Sequence, residues 1–172
     1  ITDMTARIEG TPAHLSIPAF AVRLYNGSVT GSADWQQHGA GFLRGSAVCK
    51  GIDLGALAHD RPDLFSQISG SADASVEYEG SGTSITRLAA TATITQHAAI
   101  NAAVLTPLIS FIPQSTQRTD IERLSATQQQ IDLDAATVTV TNTDAETVTA
   151  VIRMVSNRVN LNLNLTVDIH VE

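Results

Sequence analysis

His14, His38, His59, His97 and His170 are the residues of this chain best suited to proton transfer or metal binding near neutral pH. No two stand four apart and none lies in an HExxH-like pattern, so a metal centre would need ligands from distant segments. His59-Asp60 is a histidine–carboxylate neighbour pair, but adjacent positions on a helix project away from each other. It reads as a solvated helix end. Gly27-Ser28-Val29-Thr30-Gly31 holds its serine at the wrong place for a nucleophile elbow. Gly80-Ser81-Gly82-Thr83-Ser84 lacks the lysine of a phosphate loop. Asp73, Glu77 and Glu79 share one face of an alternating segment, the ordinary wet side of a sheet. Asn26-Gly27-Ser28 and Asn164-Leu165-Thr166 fit a glycosylation sequon, which bears only on a eukaryotic secretory setting. No acid, base and nucleophile converge, so the expectation is a protein that is not an enzyme, with no catalytic residues, metal or cofactor.

Composition narrows the partners. The formal net charge is −7 and there is no basic run, which sets nucleic acid aside as a partner because phosphate contact dominates such binding. With 43% hydrophobic and 16% charged residues the chain can support an extensive apolar face. Cys49 is the only cysteine, so no internal disulfide forms and no CxxC metal pattern exists. No run reaches the roughly 18–20 apolar residues that cross a bilayer; the most apolar stretch, 98–112, is interrupted by Asn101, Thr106, Pro107 and Ser110. The chain opens at Ile1 within strand-like sequence, so 1–172 is read as one module excised from a larger protein.

The elements that would carry these residues are mainly strands. Val159, Leu161, Leu163, Leu165, Val167, Ile169 and Val171 alternate with Asn160, Asn162, Asn164, Thr166, Asp168, His170 and Glu172, the period of a strand with one apolar and one wet face. Ala72, Ala74, Val76 and Tyr78 alternate in the same way with Ser71, Asp73, Ser75, Glu77 and Glu79. Asn26-Gly27 predicts a hairpin between 21–25 and 28–35. Asp53 predicts an N-cap for a short helix, and Pro62 a further turn carrying Leu64 and Phe65. Ser84 reads as the cap of one helical turn reaching Leu88, and 101–112 as a helix kinked by, or starting near, Pro107. From 121 onward strand follows strand: 121–126, 130–133, 137–140, 148–154 and 159–171. Short connections imply an antiparallel meander. Its apolar side either packs on a second layer or lines an open groove, and periodicity does not choose.

Three ordered stretches resemble the C-terminal region of the AsmA family of Gram-negative envelope proteins, related to TamB. LSIPAFAVRLYNGSVTGSAD (15–34) is similar to the family's strand leading into a glycine hairpin. ISGSADASVEYEGSGTSITRLAATATI (68–94) resembles its glycine-marked strand, break, short helical turn and further strand, with the 101–112 helix in the place that follows. TDIERLSATQQQIDLDAATVTVTN (119–142), continuing to RVNLNLNLTVDIHVE (158–172), looks like its closing segment. The chain departs from the family at 134–135 and 149–150, where glycine is usual. The resemblance implies a mainly β fold with one or two short helices, its long antiparallel sheet curved into an open trough with an apolar inner face.

It also implies a non-enzymatic role in phospholipid transport between inner and outer membrane, or in outer-membrane assembly. The protein would lie in the periplasm, anchored in the inner membrane by an N-terminal helix and meeting outer-membrane proteins. Acyl chains would then line Val159, Leu161, Leu163, Leu165, Val167 and Ile169, with Ala72, Ala74, Val76 and Tyr78 beside them, and Leu163→Asp would strip lipid from a still-folded sheet. The alternative is a structural or adhesive β module of a surface fibre or autotransporter stalk, with the apolar faces buried between sheets.

Overall fold

The computed structural model describes residues 3–37, 39–62, 67–81, 84–96, 98–127, 129–142, 147–157 and 159–168. Four strands open the chain: β1 (Asp3–Thr11), β2 (His14–Leu24), β3 (Gly27–Gln36) and β4 (Phe42–Asp53). Helix α1 (Leu54–Asp60) and the short β5 (Ile68–Ser69) lead to β6 (Ser71–Ser81) and β7 (Ser84–Ile94). Strand β8 (Ala99–Asn101), a 3₁₀ helix (Ala102–Phe111), α2 (Thr116–Ala126) and β9 (Gln130–Asp132) form an insertion. The chain then closes with β10 (Ala135–Asn142), β11 (Thr147–Val155) and β12 (Asn160–Asp168).

Nine strands make one open antiparallel sheet in the order β1-β2-β3-β4-β6-β7-β10-β11-β12, and β5, β8 and β9 make a second, small sheet. The fold is thus mainly β, with short helices and a large antiparallel sheet that does not close into a barrel.

The β2–β3 hairpin turns one residue earlier than its sequence suggests. Leu24 pairs with Gly27, and Tyr25 and Asn26 take the positive φ values of 48° and 62° that a primed two-residue turn needs. Gly27 serves a different purpose. A Cβ there would stand 2.5 Å from the Lys50 carbonyl oxygen, so glycine lets β4 pass close beside the hairpin.

Two bulges keep the apolar residues in phase. On β2, Ile17 pairs with Ala33 and Phe20 with Gly31, so three residues advance against two around Pro18, which has no N–H to give the ladder. On β4, Cys49 pairs with Ala74 and Ile52 with Ala72, and the extra residue is absorbed at Gly51, where φ is +64°. The Gly51 N–H donates to Asp73 Oδ1 at 2.7 Å. Without these bulges, Ile17 and Ile52 would fall on the wet face.

Asp53 caps α1 as its position predicts, its Oδ1 accepting from the N–H groups of Gly55 and Ala56 at 2.9 and 3.1 Å. Three segments differ from the sequence reading. Ser84–Leu88 is strand, continuous with β7. Residues 121–126 belong to helix α2: Ser115 caps it by accepting from the Arg118 N–H, and Ile121, Leu124 and Ser125 form its buried stripe. Residues 102–111 wind as a 3₁₀ helix rather than a kinked α-helix, with Pro107 inside it and Asn101 accepting from the Ala103 N–H. The turn expected at Leu64 and Phe65 falls outside the described residues.

The core joins the insertion to one end of the large sheet. Leu105, Ile112, Ile121, Leu124, Ile131 and Leu133 pack with Ala136, Met154, Val159, Leu161 and Leu163. Thr106 Oγ1 and Ser125 Oγ, 2.6 Å apart, tie the 3₁₀ helix to α2. The alternation in β12 is as the sequence shows: Leu161 and Leu163 are buried while Asn160, Asn162 and Asn164 are exposed.

Candidate functional site: the apolar sheet face

Pairing places the inward residues of successive strands in rows that cross the whole sheet. One row runs Met4, Val22, Val29, Cys49, Ala74, Ala92, Val138, Ile152, Leu163, each residue directly opposite the next. The next runs Ala6, Phe20, Gly31, Ala47, Val76, Ala90, Val140, Ala150, Leu165. Neither row contains a carboxylate or a base. Among the described residues eight large hydrophobic side chains stay exposed, and six of them lie on this face by register or alternation: Met4, Ile8, Leu15, Leu43, Val76 and Val138. A contiguous exposed apolar patch is the kind of surface on which proteins bind ligands or partners.

The face is not uniformly open. Val159, Leu161 and Leu163 keep 2%, 2% and 5% of their surface, because the 3₁₀ helix and α2 lie in the same packed cluster. These three therefore cannot line an open groove, and the expectation that they do is corrected. Leu165 is half-buried and packs against that cluster. Val167 lies on β12, but its side chain, like all of Ile169, falls outside the described residues.

The second group fares differently. Ala72 is half-buried beside Ile52 and Ile94, Ala74 and Tyr78 are half-buried, and Val76 is 36% exposed. Val76 and Ala74 line a shallow apolar hollow of about 200 Å³ with Ala47, Cys49, Ala90, Ala92, Val138 and Val140. Sequence reasoning missed Cys49, Ala90, Val138 and Val140 as neighbours. Each strand shows its own alternation, but only the register aligns them. Burial pushes the Cys49 thiol pKa up, as expected of a thiol on an apolar floor.

The opposite face gathers the ionisable groups. A hollow of about 430 Å³ there includes Asp34, Arg44, Glu77, Glu79 and Arg87. Asp34, Arg44, Glu79 and Arg87 stand opposite one another on successive strands, so charge alternates across the sheet. His14 Nε2 hydrogen-bonds Asp34 Oδ2 at 2.7 Å, Gln36 Nε2 donates to Asp34 Oδ1 at 3.0 Å, and Arg87 pairs with Glu77 at 2.6 Å. The His14 contact, with Gln36 second, holds the Asp34 carboxyl below the usual carboxylate range. Ser32 and Ser46 hydroxyls face each other at 3.3 Å. This arrangement ties strands together by mutual pairing and presents no hydroxyl to a histidine base.

His59 ends α1, and His38, His97 and His170 lie outside the described residues. Among the described residues no three His, Cys, Asp or Glu side chains gather in a way that could hold a metal ion, and no helix is long and apolar enough to cross a membrane. No family model, no curated protein and no solved structure matches the chain.

Proposed function

We propose that this chain is a non-enzymatic, lipid-handling module of a periplasm-spanning, AsmA-like envelope protein that takes part in phospholipid transport between the membranes. The observation that carries this reading is the uncharged apolar face whose rows cross nine strands and stay uncovered at Val76 and Val138. Acyl chains lie against that face and headgroups stay in water. Each buried CH₂ contributes about 0.8 kcal/mol, so a two-chain lipid is held by area without a polar anchor. The lining set that fits this role is Ala47, Cys49, Ala74, Val76, Ala90 and Val138, in the open middle of the face.

The test is lipid extraction from the purified protein followed by mass spectrometry. The wild type carries phospholipid. Val76→Glu, at a site 36% exposed, loses it while keeping the circular dichroism spectrum of a folded sheet. A lipid-free wild type, or equal lipid on the folded variant, rules the proposal out.

One feature favours a second reading, a structural β module. All nine residues of β1 are exposed, so its outer edge offers unpaired backbone groups to another strand. That reading requires the apolar face to be covered by another sheet, and predicts negligible binding of the dye ANS.

A further inference from the structure

We infer that a bound phospholipid lies along the strands, with its chain ends toward the helical insertion and its headgroup at the rim formed by Leu15, Trp35 and Leu43. The inference rests on the lipid-handling reading and adds the orientation of the ligand.

The two ends of the apolar face differ. At one end the sheet residues Ile52, Ala136, Met154 and Leu161 are all buried, packed beneath or beside α1, the 3₁₀ helix and α2. A zwitterionic or anionic headgroup placed there would have to leave water among aliphatic side chains, which is strongly unfavourable. At the other end Leu15 pairs with Trp35 and Trp35 with Leu43, and Leu15 and Leu43 are exposed. Of the connections there, 12–13, 37, 39 and 40 are exposed and 41 is half-buried. The rim can be wet and the insertion end cannot.

Trp35 fits a boundary. It is the only tryptophan of the chain, half-buried on the apolar face, with its indole nitrogen lying toward Gly41 in the exposed connection. An amphipathic ring of this kind settles where apolar material meets water. From Ala72, at the insertion end of β6, to Gly80, opposite Leu43, the face spans roughly 26 Å at about 3.3 Å per residue. An extended chain has room along the strands.

The single tryptophan makes the orientation measurable. The protein is loaded with phosphatidylcholine carrying a nitroxide either beside the ester group or beside the terminal methyl, and retained lipid is quantified after gel filtration. The expected result is a larger loss of Trp35 fluorescence with the ester-proximal label at equal lipid content. Stronger loss with the methyl-proximal label reverses the orientation and overturns the inference. Equal loss with both overturns it too, because the chains then run across the strands. Retained lipid with no quenching by either label overturns it by placing the ligand away from this rim. Failure to retain lipid sinks the lipid-handling reading itself and is read from the gel-filtration step alone.

Discussion

Gly51 sits at φ +64° with open space where a side chain would begin, so a substitution there is strained by the backbone alone. Gly51→Ala is expected to cost about 1–2 kcal/mol, read as a lower urea midpoint, and to loosen the bulge that returns Ile52 to the apolar face. Position on one face is not equivalent at every residue. Leu163 and Val138 lie in the same cross-strand row, yet Leu163 is buried and Val138 is 38% exposed. Leu163→Ala should therefore cost about 2–5 kcal/mol in chemical unfolding, as core truncations do. Val138→Ala should stay within about 1 kcal/mol, closer to a surface change. If the two cost the same, the insertion does not cover the β12 end. Sequence alternation divides the faces of β12; it carries no information about what lies above them, and that is why Leu163 reads as a groove residue.

Among the elements, the strands are the most legible because a period of two is independent of distant contacts. The apolar and wet sides of β6 and β12 are read directly. The insertion is less so. Its α2 carries local signals in Ser115, in the Arg118–Glu122 pair at 2.8 Å and in the spacing of Ile121 and Leu124, but these compete with β-rich surroundings on both sides. The turn at Tyr25-Asn26 escapes because Asn26-Gly27 is a strong hairpin pair by itself, and the demand on Gly27 comes from β4. Asp53 and Asp34 are two of the carboxylates that join elements. Asp53 is held below the usual carboxylate range first by the Ala56 N–H and then by Asn26, as Asp34 is by His14. A lowered folded-state pKa adds stability above the ordinary value near 3.8 and loses it as pH falls through the lower folded value. Unfolding midpoints should therefore drop in acid below that value. In Asp34→Asn and Asp53→Asn the drop should be shallower; an unchanged acid limb in both would remove these carboxylates from the account.

At the scale of the molecule, nine strands bring residues from Met4 to Leu165 into shared rows, and no single segment reveals that. The open mainly β sheet follows from composition, short connections and alternation. Which part of its apolar side is covered follows only from where the insertion between β7 and β10 folds back. The consequence is a division of labour: Ala136 of β10 with β11 and β12 supplies the core, and the β2–β7 region with Val138 and Val140 of β10 presents the free surface. Cys49, the one thiol, lies in the middle of that surface, in the hollow with Val76 and Val138. The most direct test of the account is the alkylation rate of Cys49 in lipid-stripped protein and in protein loaded with phosphatidylcholine, each in its folded state. Stripped protein should label at a measurable rate, slowed by the raised thiol pKa, and loaded protein should be markedly protected. An equal rate in the two states, with lipid bound, would place the lipid elsewhere and contradict it.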